Sequence, residues 1–130
     1  PFTRPKDEDR KAAEDAMKSL GILDLADTPI GQLSGGQQQK ALLAHNLAKD
    51  PEVLLLDEPF SNLDLASRER ISGLLGALTK KGVTVIIVSH AFDDLPDRTI
   101  RILVMNAGRL TLDTSCAPSE VEAQVRRASA

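Results

Sequence analysis

Two short apolar runs, Val53-Leu54-Leu55-Leu56 and Val83 to Val88, bracket a helix-length stretch, and this arrangement limits the fold more than anything else in the chain. Polar residues close both runs: Asp57-Glu58 after the first, Ser89-His90 after the second. Each is too short to be a helix, and apolar residues run through it without polar alternation. Such runs predict buried strands of a parallel sheet covered on both faces. Between them Asp64 is placed to cap a helix from about Leu65 to Lys80. Ile71, Leu74, Leu75 and Leu78 form its apolar stripe. Gly73 and Gly76 weaken it by about 1 kcal/mol each, and Gly82 ends it. Strand, helix and strand make a βαβ unit, right-handed by strong precedent, so the fold class is α/β.

Upstream, Ala12, Ala13, Ala16, Met17 and Leu20 share one face of a predicted helix over about Lys6 to Leu20, with Gly21 as its stop. Pro29 and Gly31 break the connection that follows. Ser34 stands at the N-cap of a second helix reaching about Lys49, stopped by Asp50-Pro51. Downstream, Pro96 cuts short a helix after His90. Ile100 to Met105 and Arg109 to Asp113 read as a hairpin turning at Asn106-Ala107-Gly108. Ser119 to Ala130 reads as a terminal helix. There is no internal repeat, and no low-complexity tract beyond Gln37-Gln38-Gln39.

Composition excludes several function classes. The 130 residues carry a net charge of −3, and the first twenty hold five residues of each sign, so no basic patch marks a nucleic-acid surface. The longest apolar run is four residues, which spans no membrane, and no signal peptide is visible. One cysteine, Cys116, rules out an intramolecular disulfide and a cysteine-cluster metal site. Aromatic residues are 2% of the chain, too few for a base-stacking platform. The cytosol is the default compartment.

Three places carry candidate chemistry. In Leu33-Ser34-Gly35-Gly36-Gln37, two glycines at a helix start expose backbone N–H groups where the helix dipole favours an anion, and Ser34 adds a hydroxyl. The segment is a phosphate-binding tip or a flexible loop before an ordinary helix. Asp57 ends a strand, where ligands of open α/β sheets sit, and can hold Mg²⁺; Glu58 can act on a water beside a terminal phosphate. The alternative is two acids solvating a strand end. His90 closes the second strand on the same sheet edge, where it can bond a phosphate or pack under the sheet. His45 reads as a surface or packing residue and Cys116 as a bystander in a loop. Ser61-Asn62-Leu63-Asp64 is a functional loop or simply a helix cap.

Together these segments resemble the ATP-binding-cassette ATPases. Leu33 to Gln37 matches the signature motif, Val53 to Glu58 the Walker B strand, Ser61 to Asp64 the D-loop and His90 the switch histidine, in the family's order and spacing. The resemblance covers roughly Lys6 to Leu110. It implies a partial P-loop NTPase-like fold, with parallel strands, helices on both faces, and a C-terminal β-hairpin. Residues 1–32 would be part of the helical subdomain and 33–130 the C-terminal portion of the ATPase core. Lys40, His45-Asn46 and Ala91 depart from the family's frequent residues without touching the motif positions.

The phosphate cradle is not in this sequence: none of its eight glycines is followed by lysine, and no glutamine loop precedes the signature. The chain thus resembles a cassette domain that begins inside its helical subdomain. Family members pair head to tail around ATP. The resemblance therefore implies that Ser34, Gly35, Gly36 and Gln37 grip the γ-phosphate of a partner's nucleotide. At the nucleotide bound by the Walker A of their own chain, Asp57 would bind Mg²⁺, Glu58 would be the catalytic base, and His90 would contact the γ-phosphate. Ser61 and Asp64 would carry the state of one site across the pair. The expected partners are a second cassette subunit and a transmembrane permease, with no direct nucleic-acid binding, at the inner face of the cell membrane. Pro29 to Gln32 is similar to metal-ion uptake systems. Gly82 to His90 with Val104-Met105-Asn106 is similar to vitamin and cobalt importers, so an importer is expected. A soluble cassette ATPase in nucleic-acid or translation work, or a non-catalytic half-cassette, are the other readings.

Overall fold

The structure, a computed structural model, describes residues 4–93 and 95–130. They form two compact units, one ending at Ser89 and the other spanning His90–Ala130.

The first unit begins with α1 (Asp7–Ser19). Asp7, Glu8 and Asp9 crowd its first turn, where the helix dipole favours negative charge, and the Asp9 carboxylate accepts from the Lys6 N–H at 3.0 Å. Its end is fixed by Gly21 at φ +68°. The Gly21 N–H bonds the Lys18 carbonyl and the Ile22 N–H the Met17 carbonyl, the paired bonds of a Schellman stop. This turn swings Ile22 back beside Leu20, and both are fully buried.

Three-residue turns of 3₁₀ helix at Leu23–Leu25 and Ile30–Gln32 lead to α2 (Gly35–Leu47), then β1 (Val53–Asp57), α3 (Leu65–Lys80) and β2 (Thr84–Val88). The α3 helix stops as α1 does: Gly82 sits at φ +97°, and the Val83 N–H reaches the Leu78 carbonyl. The strands pair in parallel from Val53 opposite Thr84 to Asp57 opposite Val88. One core joins α1, α2, β1 and α3 through Ala16, Leu20, Leu43, Leu54, Leu56, Ile71 and Leu75.

The two strands fall where the sequence predicts, but cover on both faces does not follow. β1 alternates: Leu54 and Leu56 are buried, while Val53 is 56% and Leu55 66% exposed. Ile86 and Val88 in β2 are 47% and 53% exposed. Side chains leave a strand on alternate faces, and among the described residues only one face of this sheet is covered.

In the second unit, β3 (Ile100–Asn106) pairs antiparallel with β4 (Arg109–Cys116). Ala107 at φ 48° and Gly108 at φ 74° make the two-residue primed turn that suits strand twist. A bulge beside Val104 and Met105 shifts the register, and the Thr111 hydroxyl bonds the Val104 carbonyl there at 3.2 Å. After a 3₁₀ turn at Pro118–Glu120, α4 (Val121–Ser129) closes the chain. Ile102, Cys116 and Val121 form the small core, with Phe92, Leu95 and Val125 against it.

Two expectations are corrected here. Cys116 is not in a loop but is the last residue of β4 and is buried in this core. Among the described residues between His90 and Ile100 there is no helix, only irregular chain with short turns and bends.

Candidate functional site

The start of α2 is built by its own side chains. The Ser34 hydroxyl accepts from the Gln37 N–H at 3.3 Å, and the Gln37 side-chain oxygen accepts from the Ser34 N–H at 2.9 Å. This reciprocal capping box spends Ser34 and Gln37 on fixing the first turn. The Gln38 amide donates to the carbonyls of Ile30 and Leu33, each at 3.1 Å, and so ties the preceding turn to the helix. Ser34 and Gly35 remain exposed at the tip.

The tip packs against the loop after β1. A Cβ on Gly36 would stand 3.1 Å from the Asn62 carbonyl oxygen and 3.2 Å from a Leu63 methyl, so glycine allows this close approach. Ser34 to Gln37, Lys40 and Asn62 to Asp64 line one cleft of about 410 Å³.

Asp57, at the carboxyl end of β1, is exposed and Glu58 half-buried. The Glu58 N–H continues the ladder onto the Val88 carbonyl at 2.8 Å. Glu58 itself lies at φ 48°, a left-handed conformation that costs a non-glycine residue on the order of 1 kcal/mol. Its carbonyl accepts from the Ser61 N–H at 3.2 Å, the Ser61 hydroxyl at 2.9 Å and the Gln39 amide at 3.0 Å.

Asp64 caps α3. Its Oδ1 accepts from the Ser67 N–H at 2.8 Å and its Oδ2 from the Ser67 hydroxyl at 3.1 Å, while the Lys40 ammonium donates to that hydroxyl at 2.9 Å. The two Ser67 bonds, the backbone one foremost, and the nearby Lys40 charge hold the Asp64 carboxyl below its ordinary range.

The structure thus brings Ser34, Gly35, Gly36 and Gln37 together with Asp64 in one cleft, and Ser61 onto the Glu58 peptide. β2 stops at Val88, and the exposed His90 opens the second unit. His45 is exposed on α2, as expected. Sequence reasoning missed Gln39, Lys40 and Ser67. The triple glutamine was the available signal, because each of the three amides makes a different bond.

Among the described residues no three His, Cys, Asp or Glu side chains gather as a metal cage. A lone strand-end carboxylate such as Asp57 fits Mg²⁺, which takes one or two protein carboxylates together with waters and phosphate oxygens.

Comparison with known proteins bears on the family. The family model "ABC transporter" matches residues 2–61. The energy-coupling factor transporter ATP-binding protein EcfA3 of Oenococcus oeni is 40% identical over 108 residues, covering 80% of this chain and 38% of its own length. The ribose import ATP-binding protein RbsA 2 of Rhizobium meliloti is 36% identical over 94% of this chain and 24% of its own. The structure of cbiO1 from Clostridium perfringens, part of the ABC transporter complex cbiONQ, superposes with a TM-score of 0.70 at 37% identity, over 95% of this chain and 49% of that one. This chain belongs to the ATP-binding-cassette ATPases and covers the C-terminal part of their cassette. It spans half or less of the length of these relatives.

Proposed function

We propose that the complete subunit carrying this segment hydrolyses ATP to drive an importer. The observation that bears most on this is the seating of the capped Ser34-Gly35-Gly36 tip against the loop that follows Asp57-Glu58. A phosphate-binding tip and an acid-bearing strand end are then held by one short core, as a head-to-tail pair requires. In that pair, Ser34, Gly35, Gly36 and Gln37 face the γ-phosphate of the partner's ATP. Exposed helix-start N–H groups and the dipole favour the anion there. Asp57 would hold Mg²⁺, which would neutralise phosphate charge there. Glu58 accepts the proton of the attacking water, worth roughly 10²- to 10⁴-fold in rate. Asp57, Glu58 and His90 serve the nucleotide held by the complete subunit's own phosphate cradle, His90 contacting its γ-phosphate, and Ser61 and Asp64 carry the state of one site to the other.

The second cassette subunit and a membrane permease are the proposed partners. Residues 1–32 belong, on this reading, to the helical subdomain that abuts the permease, and 33–130 to the ATPase core. No helix among the described residues is long and apolar enough to cross a membrane, and membrane association at the inner face would come through the permease. Names of the relatives, an energy-coupling factor subunit and a ribose import subunit, support an importer.

This chain by itself lacks the glycine-lysine cradle, and phosphoryl transfer rests on positioning and electrostatics, so it should not turn over ATP. The test is phosphate release from Mg-ATP. The purified chain should be silent, and Glu58→Gln in the complete subunit should abolish turnover while ATP binding persists. Undiminished turnover in that variant would remove Glu58 as the base.

A further inference from the structure

We infer that Gln39 is a positioning residue for Glu58: its side-chain amide holds the Glu58 peptide in its left-handed conformation and so ties the aim of the carboxylate to helix α2. The inference rests on the reading of Glu58 as the general base. A non-glycine residue at φ 48° persists only where its surroundings over-determine it. Here they do. The N–H is fixed on Val88, and the carbonyl takes three donors although it has two lone pairs.

The donors differ in what they can transmit. Both Ser61 bonds are local, three residues along the same loop. Gln39 is nineteen residues away in sequence and lies on the helix whose first turn is the Ser34-Gly35-Gly36 tip. Gln37 and Gln38 spend their amides on that tip and the turn before it, whereas Gln39 reaches across to β1's end. A shift of α2 therefore moves the peptide that carries the Glu58 side chain. Catalysis by a positioned base is sensitive to such shifts, since a displacement of about 1 Å can cost about a hundredfold.

Two variants separate the donor from the bulk of the side chain. Gln39→Met keeps length and loses the donor. Gln39→Glu keeps shape, loses the donor when ionised and regains one when protonated. In the chain as it stands, NMR should show a through-bond coupling from Gln39 Nε2 to the Glu58 carbonyl carbon. Gln39→Met should move the Glu58 Cα shift off its left-handed value. In the complete subunit Gln39→Met should lower kcat about ten- to a hundredfold with KM for ATP unchanged. The kcat of Gln39→Glu, relative to wild type, should recover as pH falls. Unchanged Glu58 shifts in Gln39→Met overturn the inference, as does equal loss in both variants at every pH, which marks simple packing. Full turnover in Glu58→Gln would instead remove the base, and the Glu58 shifts would still decide whether Gln39 sets the peptide.

Discussion

Ser67 donates twice to Asp64, its backbone N–H to one carboxylate oxygen and its hydroxyl to the other, at 2.8 and 3.1 Å. Ser67 is buried while Asp64 is exposed, so the carboxylate acts as a cap laid over the helix start. These bonds lower the Asp64 pKa. A depressed carboxyl contributes stability that is present above its unfolded value, near pH 4, and is lost as pH falls through the folded value. Asp64→Ala should therefore be less stable than wild type at pH 7, and the gap should be narrower at pH 3. Urea unfolding at both values reads this, and a gap that stays constant would refute it.

Ser34 has two separable roles. Ser34→Ala should lower the stability of the first unit by about 1 kcal/mol through loss of the helix cap. Ser34→Asp keeps a capping acceptor but sets a negative charge where the partner's terminal phosphate is proposed to sit. Thermal melts should leave the second variant near wild type. ATP turnover by the complete subunit should fall sharply in it, and full activity would argue against phosphate at the tip.

Ile71, 1% exposed, lies in the core shared by the helices and β1. Ile71→Ala should cost about 2–5 kcal/mol, the range for deleting a buried aliphatic side chain. Circular dichroism during denaturation would register it as an early loss of helix signal, and a cost under about 0.5 kcal/mol would mean that the core is not packed as described.

Ala107 occupies a left-handed position in the hairpin turn. Ala107→Gly should relieve strain there and stabilise the second unit by about 1 kcal/mol, in line with the preference for glycine or asparagine in such turns. Amide exchange across β3 and β4 is the measurement, with slower exchange expected in the variant.

Much of this architecture was readable from local chemistry. Ser34, Asp64, Gly21 and Gly82 mark helix ends because caps and stops depend on neighbours within a few residues. The strands, the hairpin and α3 follow from short-range pattern for the same reason. What was not readable depends on residues far apart in sequence. The unalternated run at Val53 to Leu56 gives no sign that Leu55 is left exposed, because cover is supplied by other segments. Cys116 was misread because β4 continues past Asp113 until its end meets Ile102 and Val121. Gln39 and Glu58, and Lys40 and Ser67, come together only once α2 lies beside the β1 end and the start of α3.

Gly36 gives the tip and the loop after Glu58 a common mechanics. Only a hydrogen stands where a Cβ at 36 would lie 3.1 Å from the Asn62 carbonyl oxygen and 3.2 Å from a Leu63 methyl, so the two segments face each other at close range with little between them to absorb a push. A load on the tip is then passed to the loop. The pair behaves like a tooth seated in its rack.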